Sequence, residues 1–178
     1  DRLKALDQAA QDFRTTTGMM KSQTEGLDNV LLKVNEKYRA SGITLEKAGK
    51  AAGALHDQFG RMKEISEDTV GAISLMSTNF GIAEETSAKA MKNLMNMGGH
   101  TAETANNIQA SAIHLAEAAG VAPVEVMEQI ASAGAESAKY FAGNTKELVK
   151  AAVYSRRLGL EMGSLTGMGD KLLDHETS

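Results

Sequence analysis

Glycine followed by an aliphatic residue recurs at Gly42-Ile43, Gly81-Ile82, Gly120-Val121 and Gly159-Leu160, and each interval is 39 residues. The same dipeptide occurs elsewhere only at Gly26-Leu27. Glycine takes the left-handed backbone conformation that ends a helix at little cost, and an aliphatic residue just beyond it can pack back onto the core. A period of this size is the mark of stacked supersecondary units, long enough for two helices and two turns. Two further columns agree: Leu55, Leu94, Ala133 and Leu172 share one phase, and Gly60, Gly99 and Ala138 share another. The spacing predicts short, glycine-punctuated helical hairpins over residues 42–178.

The text around each junction supports this reading. "NFGIAEE" stops one helix at Gly81 and opens another with Glu84 and Glu85, whose charge suits a helix N-terminus. "NMGGHTAETANN" repeats the device, with Gly98 and Gly99 as the stop and Thr101 as the expected N-cap. In "GVAPVEV", Gly120 ends a helix, Val121 turns inward, and Pro123 starts the next helix, where its missing N–H is not needed. "GNTKEL" places Asn144 and Glu147 at the spacing of a capping box.

Residues 1–40 follow a different pattern. Leu3, Leu6, Ala10, Phe13, Thr17, Met20, Thr24, Leu27, Leu31, Val34 and Tyr38 alternate steps of three and four, which is a heptad seam. The pattern predicts a long amphipathic helix over 1–40 that needs a partner. Leu3, Leu6, Phe13, Met20, Leu27, Leu31 and Val34 are the candidate oligomer seam. Gly18 and Gly26 weaken it, each costing about 1 kcal/mol relative to Ala inside a helix. A weak middle near "TTTGMM" therefore allows a break into two antiparallel pieces, and the stripe fits either an intermolecular coiled coil or a helix lying on its own protein.

Composition sets the fold class. Ten Met, one Pro and seven aromatic residues accompany abundant Ala, and long β-branched or aromatic runs are missing. Such a chain reads as all-α, because Ala, Leu, Met, Glu, Lys and Gln lose little side-chain freedom in helices, whereas strands favour the missing types. The net charge is −4. Residues 1–80 carry eleven acidic and eleven basic groups, while 81–178 carry twelve and eight, with no Lys or Arg between Lys92 and Lys139. A nucleic-acid site needs cations to replace phosphate counterions, so none is expected here.

The reactive residues do not assemble a motif. There is no cysteine for a disulfide or thiolate metal site, and His56, His100, His114 and His175 lack the i, i+4 spacing of a zinc helix. Asp170, Asp174, His175 and Glu176 are the densest ligand cluster, but without the alternating pattern of a calcium loop. "GLEMGSLTGMGD" is neither a phosphate loop nor a dinucleotide fingerprint, and no serine stands in a Gly-x-Ser-x-Gly elbow. Met91, Met95 and Met97 read as filler between small residues rather than as a binding stripe. No catalytic, cofactor or metal residue is expected, nor an enzyme. No apolar run reaches the roughly 18 residues of a membrane span and no signal segment opens the chain, so a soluble protein is expected. A start at Asp1 fits a piece of something longer.

One segment carries a family resemblance. "GGHTAETANNIQASAIHLAEAAGVAPVEVMEQIASAGAESAKYFAGNTKELVKAAVYSRRLGLEMGSL", followed by "KLLDHETS", resembles a region of phage tail tape measure proteins. The likeness covers residues 81–178 and lies in an order of parts: a Gly-Gly turn, a helix ending "LAEAAGV", a Pro-led "VEVMEQIA" helix, an "AKYF" end, a "KAAVYSRRLGL" helix and an "LLD" stretch. It implies a structural virion protein of the tail lumen, made in the host cytoplasm, that helps set tail length, takes part in assembly and leaves before DNA is ejected. It also implies self-association and contact with tail tube, terminator, baseplate or chaperone proteins, with no cofactor. Membrane contact would be confined to ejection, through the Ala- and Gly-rich stretch Ala102 to Ala142. Tape measure proteins are far longer than 178 residues, so this chain would be a segment of one. The alternative reading is a helical-repeat module that binds another protein.

Overall fold

The computed structural model describes residues 1–164, and these are all-α: α-helices with three short 3-10 turns, and no strand among the described residues. The chain divides into two units, 1–89 and 90–178. The division falls after Lys89, inside a helix, and not at the boundary near residue 41 that the heptad pattern suggests.

The first unit contains α1 (Arg2–Thr17), α2 (Leu27–Tyr38), α3 (Leu45–Phe59), α4 (Glu67–Phe80) and the first residues of α5 (Glu84–Gly98). The expected long helix over 1–40 is two helices. Gly18 ends α1 at φ 72°, a 3-10 turn covers Lys21–Gln23, and Gly26 opens α2 at φ 85°. Both glycines adopt a conformation in which other residues meet a Cβ clash, so the two residues that weaken the heptad are those that break it. The pieces run antiparallel. Arg2 near the start of α1 pairs with Glu36 near the end of α2 at 3.0 Å, and Arg14 Nη1 donates to Thr24 Oγ1 at 3.5 Å.

Small residues bring these helices together. A Cβ placed on Gly49 of α3 would sit 3.4 Å from the Ala9 Cβ of α1, an ordinary contact at the edge of tightness. On Gly71 of α4 it would lie 2.6 Å from the Tyr38 ring, so a side chain there would push the ring aside. Leu27, Leu31, Val34, Ile43, Leu55 and Ile73 fill the space between, all essentially inaccessible to water. Each buried side chain of this size favours folding by about 1.5–3 kcal/mol.

The second unit takes the rest of α5, then α6 (Ala102–Ala118), α7 (Pro123–Ser132), α8 (Ala135–Phe141) and α9 (Thr145–Arg157). Pro123 is the first residue of α7, and the Thr101 side chain accepts from the Thr104 N–H at 3.2 Å. Asn144 accepts from the Glu147 N–H at 3.2 Å, while the Glu147 carboxylate pairs with Lys150 at 3.3 Å. The end of α7 has an unusual cap. Asn93 Nδ2 on α5 lies 3.1, 2.8 and 3.0 Å from the carbonyl oxygens of Ile130, Ala131 and Ala133, and of these the Ile130 carbonyl also accepts from the Ala133 N–H at 3.2 Å. Ala142, at φ 49°, is the one described non-glycine residue in left-handed space. Gly143 follows at φ 77°, where a Cβ would come within 2.9 Å of the Met97 carbonyl oxygen.

Candidate functional site

The four recurring junctions share a local geometry. Gly42, Gly81, Gly120 and Gly159 have φ of 84°, 67°, 70° and 72°. The N–H of each following residue reaches back into the helix just ended: Ile43 to the Tyr38 carbonyl at 3.3 Å, Ile82 to Met76 at 3.4 Å, Val121 to Ala116 at 2.8 Å and Leu160 to Ser155 at 2.8 Å. Three of these bonds span five residues, the outer bond of a Schellman cap. Ile43, Ile82 and Val121 are buried and Leu160 is half-buried. The glycine satisfies the helix end while its neighbour joins the core. Of the matching columns, Leu55, Leu94 and Ala133 are buried, and Leu172 lies outside the described residues.

The seam residues separate into two groups. Leu6, Phe13, Leu27, Leu31 and Val34 are buried within the first unit, whereas Leu3 and Met20 are 71% and 65% exposed. Phe13 also packs edge-to-face on His56 with ring centroids 5.9 Å apart. Most of the stripe is thus occupied by the chain's own helices.

A cavity of about 800 Å³ in the first unit opens between the start of α1 and the α2–α3 junction. Asp12, Glu46, Arg2 and Arg39 line its rim, mixed in sign and spread apart, and Asn35 on its wall is committed to the Ile43 carbonyl at 3.0 Å. Among the described residues, no group of three or more acidic or histidine side chains is placed to hold a metal, and no helix is long and apolar enough to cross a membrane. His100 Nε2 lies 2.8 Å from the Thr145 hydroxyl, tying the α5–α6 turn to the start of α9. His114 is exposed on α6, and His175 lies outside the described residues with Asp170, Asp174 and Glu176.

Two cations have raised basicity. Lys37 is shifted up chiefly by its hydrogen bond to Tyr38, then by the charge of that side chain, with Glu67 and Asp68 adding to it. Arg61 is shifted up by the hydrogen bonds and charge of Glu64, whose buried carboxylate it meets at 2.7 Å. Both pairs support the first unit and border no cavity described above.

Two features of the second unit were not anticipated from the sequence. Arg156 bridges Glu125 at 3.1 Å and Glu161 at 2.9 Å; Gln129 donates to Glu161 and accepts from the Met162 N–H at 2.9 Å. This cluster straps the chain after α9 onto α7, and its partners stand about thirty residues apart, so no local spacing signals it. The other is a shallow groove of about 330 Å³ between α6 and α9, floored by Leu115, Ala118, Ala119, Val153 and Tyr154 and flanked by Lys150 and Arg157. Leu115 and Tyr154 are 43% and 58% exposed, and Leu158, one turn beyond Tyr154, is 52% exposed. An i, i+4 apolar pattern on an outward face would have pointed to it. Comparison with family models, with curated proteins and with solved structures returns no match.

Proposed function

We propose that this chain is a helical structural segment of a phage tail tape measure protein, with a role in tail assembly and length and none in catalysis. The observation that carries this reading is the order of parts in 81–178: Gly-Gly turn, "LAEAAGV", Pro-led helix, "AKYF" and "KAAVYSRRLGL". Consistent with it, those parts coincide with the α5–α6 turn, the end of α6, α7, the end of α8 and α9. We read the 39-residue recurrence as a repeated helical unit, because all four glycines stand at the end of a helix. In the virion the segment would lie in the tail lumen beside copies of itself and tail tube, terminator or baseplate proteins, and during assembly it would meet tail chaperones in the host cytoplasm.

The test is made in the phage that encodes the parent chain. Purified tails should yield peptides of this segment by mass spectrometry, and in-frame duplication of residues 1–164 should lengthen the tails seen by electron microscopy. Tails that lack these peptides reject the proposal. The second reading, a helical-repeat module for a protein partner, is favoured by the exposed groove on α6 and α9 and would be preferred if a stable ligand complex formed outside any virion.

A further inference from the structure

The groove between α6 and α9 combines an apolar lining with cations on one side. Leu115, Val153 and Tyr154 line it, and Lys150 and Arg157 of α9 are its charged lining residues. Lys146, Lys150 and Arg157 are all exposed and fall on one stripe of α9, at spacings of four and seven residues, with Val153 and Tyr154 between them. Glu147 stands beside this stripe and pairs with Lys150, but Arg157 has no ion-pair partner among the described residues.

The complementary surface lies on the same chain. Glu103, Ala110 and Glu117 of α6 are exposed and seven residues apart, so they share one face of the helix. Asn107 and His114 lie on that flank too, either side of Ala110. From Glu103 to Glu117 this edge runs about 21 Å, and Lys146 to Arg157 runs about 16 Å, at 1.5 Å per helical residue. No Lys or Arg interrupts the chain between Lys92 and Lys139. An acidic helix edge therefore complements in charge the cationic side of a groove with an apolar lining.

We propose that the α6–α9 groove of one copy receives the acidic α6 flank of a second copy. The two surfaces differ, so the contact is heterologous and each copy keeps one groove and one flank to offer, which favours head-to-tail growth over a closed dimer. Helix-in-groove docking supplies apolar burial from Leu115 and Tyr154, and the opposed charges set register and partner orientation. This inference does not depend on the phage reading.

Sedimentation velocity on the whole chain, over a range of concentrations at low and high salt, tests it. The mass should rise with concentration and fall with salt. The Lys150→Glu/Arg157→Glu double variant and the Glu103→Lys/Glu117→Lys double variant should each weaken self-association by about tenfold or more. Mixing the two variants should restore assembly, since the acidic flank of the first meets the native groove of the second. Tyr154→Ser, which carries no charge change, should weaken association while the helical circular dichroism is retained. A monomer at every concentration overturns the proposal, as does association that survives both charge reversals. Association sensitive to Tyr154→Ser but not to Glu103→Lys/Glu117→Lys would also overturn it, by showing a symmetric groove-to-groove contact.

Discussion

The two units are made from the same kind of helix yet treat their apolar residues in opposite ways. In the first, Leu6, Phe13, Leu27, Leu31 and Val34 turn inward, and only Leu3 and Met20 of its large apolar residues stay exposed. In the second, Leu115, Tyr140, Tyr154 and Leu158 remain outside, while Asn106, Gln109 and Gln129 are buried. Both units bury polar side chains, Asn35 and Glu64 among those of the first, so the difference lies in the large apolar residues left outside. Aliphatic side chains and small contacts such as Gly49–Ala9 close the first unit, whereas amides and Arg156 connect helix ends in the second. Exposed apolar area is what a partner can use.

The largest blow to this contrast should come from Leu31→Ala. It empties a fully buried site in the first unit and should cost about 2–5 kcal/mol. Hydrogen exchange read by mass spectrometry should show faster exchange in α1–α4, and equal acceleration in α6–α9 would contradict the assignment of two units. Next comes Asn93→Ala, expected to cost about 1–3 kcal/mol by leaving carbonyls at the end of α7 without donors. Urea denaturation measures it, and a change below about 0.5 kcal/mol would show that water replaces the amide. Gly120→Ala should cost about 1–2 kcal/mol, because alanine resists φ 70°. A stabilising effect on the melting temperature would mean that the α6–α7 turn relaxes. Smallest are Leu3→Ser and Met20→Ser, each within about 0.5 kcal/mol, since both side chains are exposed. A larger loss, or a change in solution mass, would restore the heptad stripe as an intermolecular seam.

Helix punctuation was the most legible part of the fold. Gly42, Gly81, Gly120 and Gly159, Thr101, Asn144 and Pro123 act through bonds to residues a few positions away, so short text suffices to read them. The break near "TTTGMM" was legible for the same reason. Which of its two partners the stripe would take was not, because heptad spacing records that a face is apolar and not which helix covers it. Ala142 gave no sign of its left-handed conformation, since alanine has no local preference for it. The groove and the Arg156 cluster depend on residues brought together across thirty or more positions, which local patterns do not encode.

The Asn93 cap also bears on the order in which the second unit folds. Its acceptors lie 37 to 40 residues further along the chain, so the last turn of α7 gains its donors only after a long loop has closed. The start of α7, set by Pro123, needs no such event. One helix thus has an early end and a late end: its beginning can form while the chain is still open, and its final turn marks the arrival of α5.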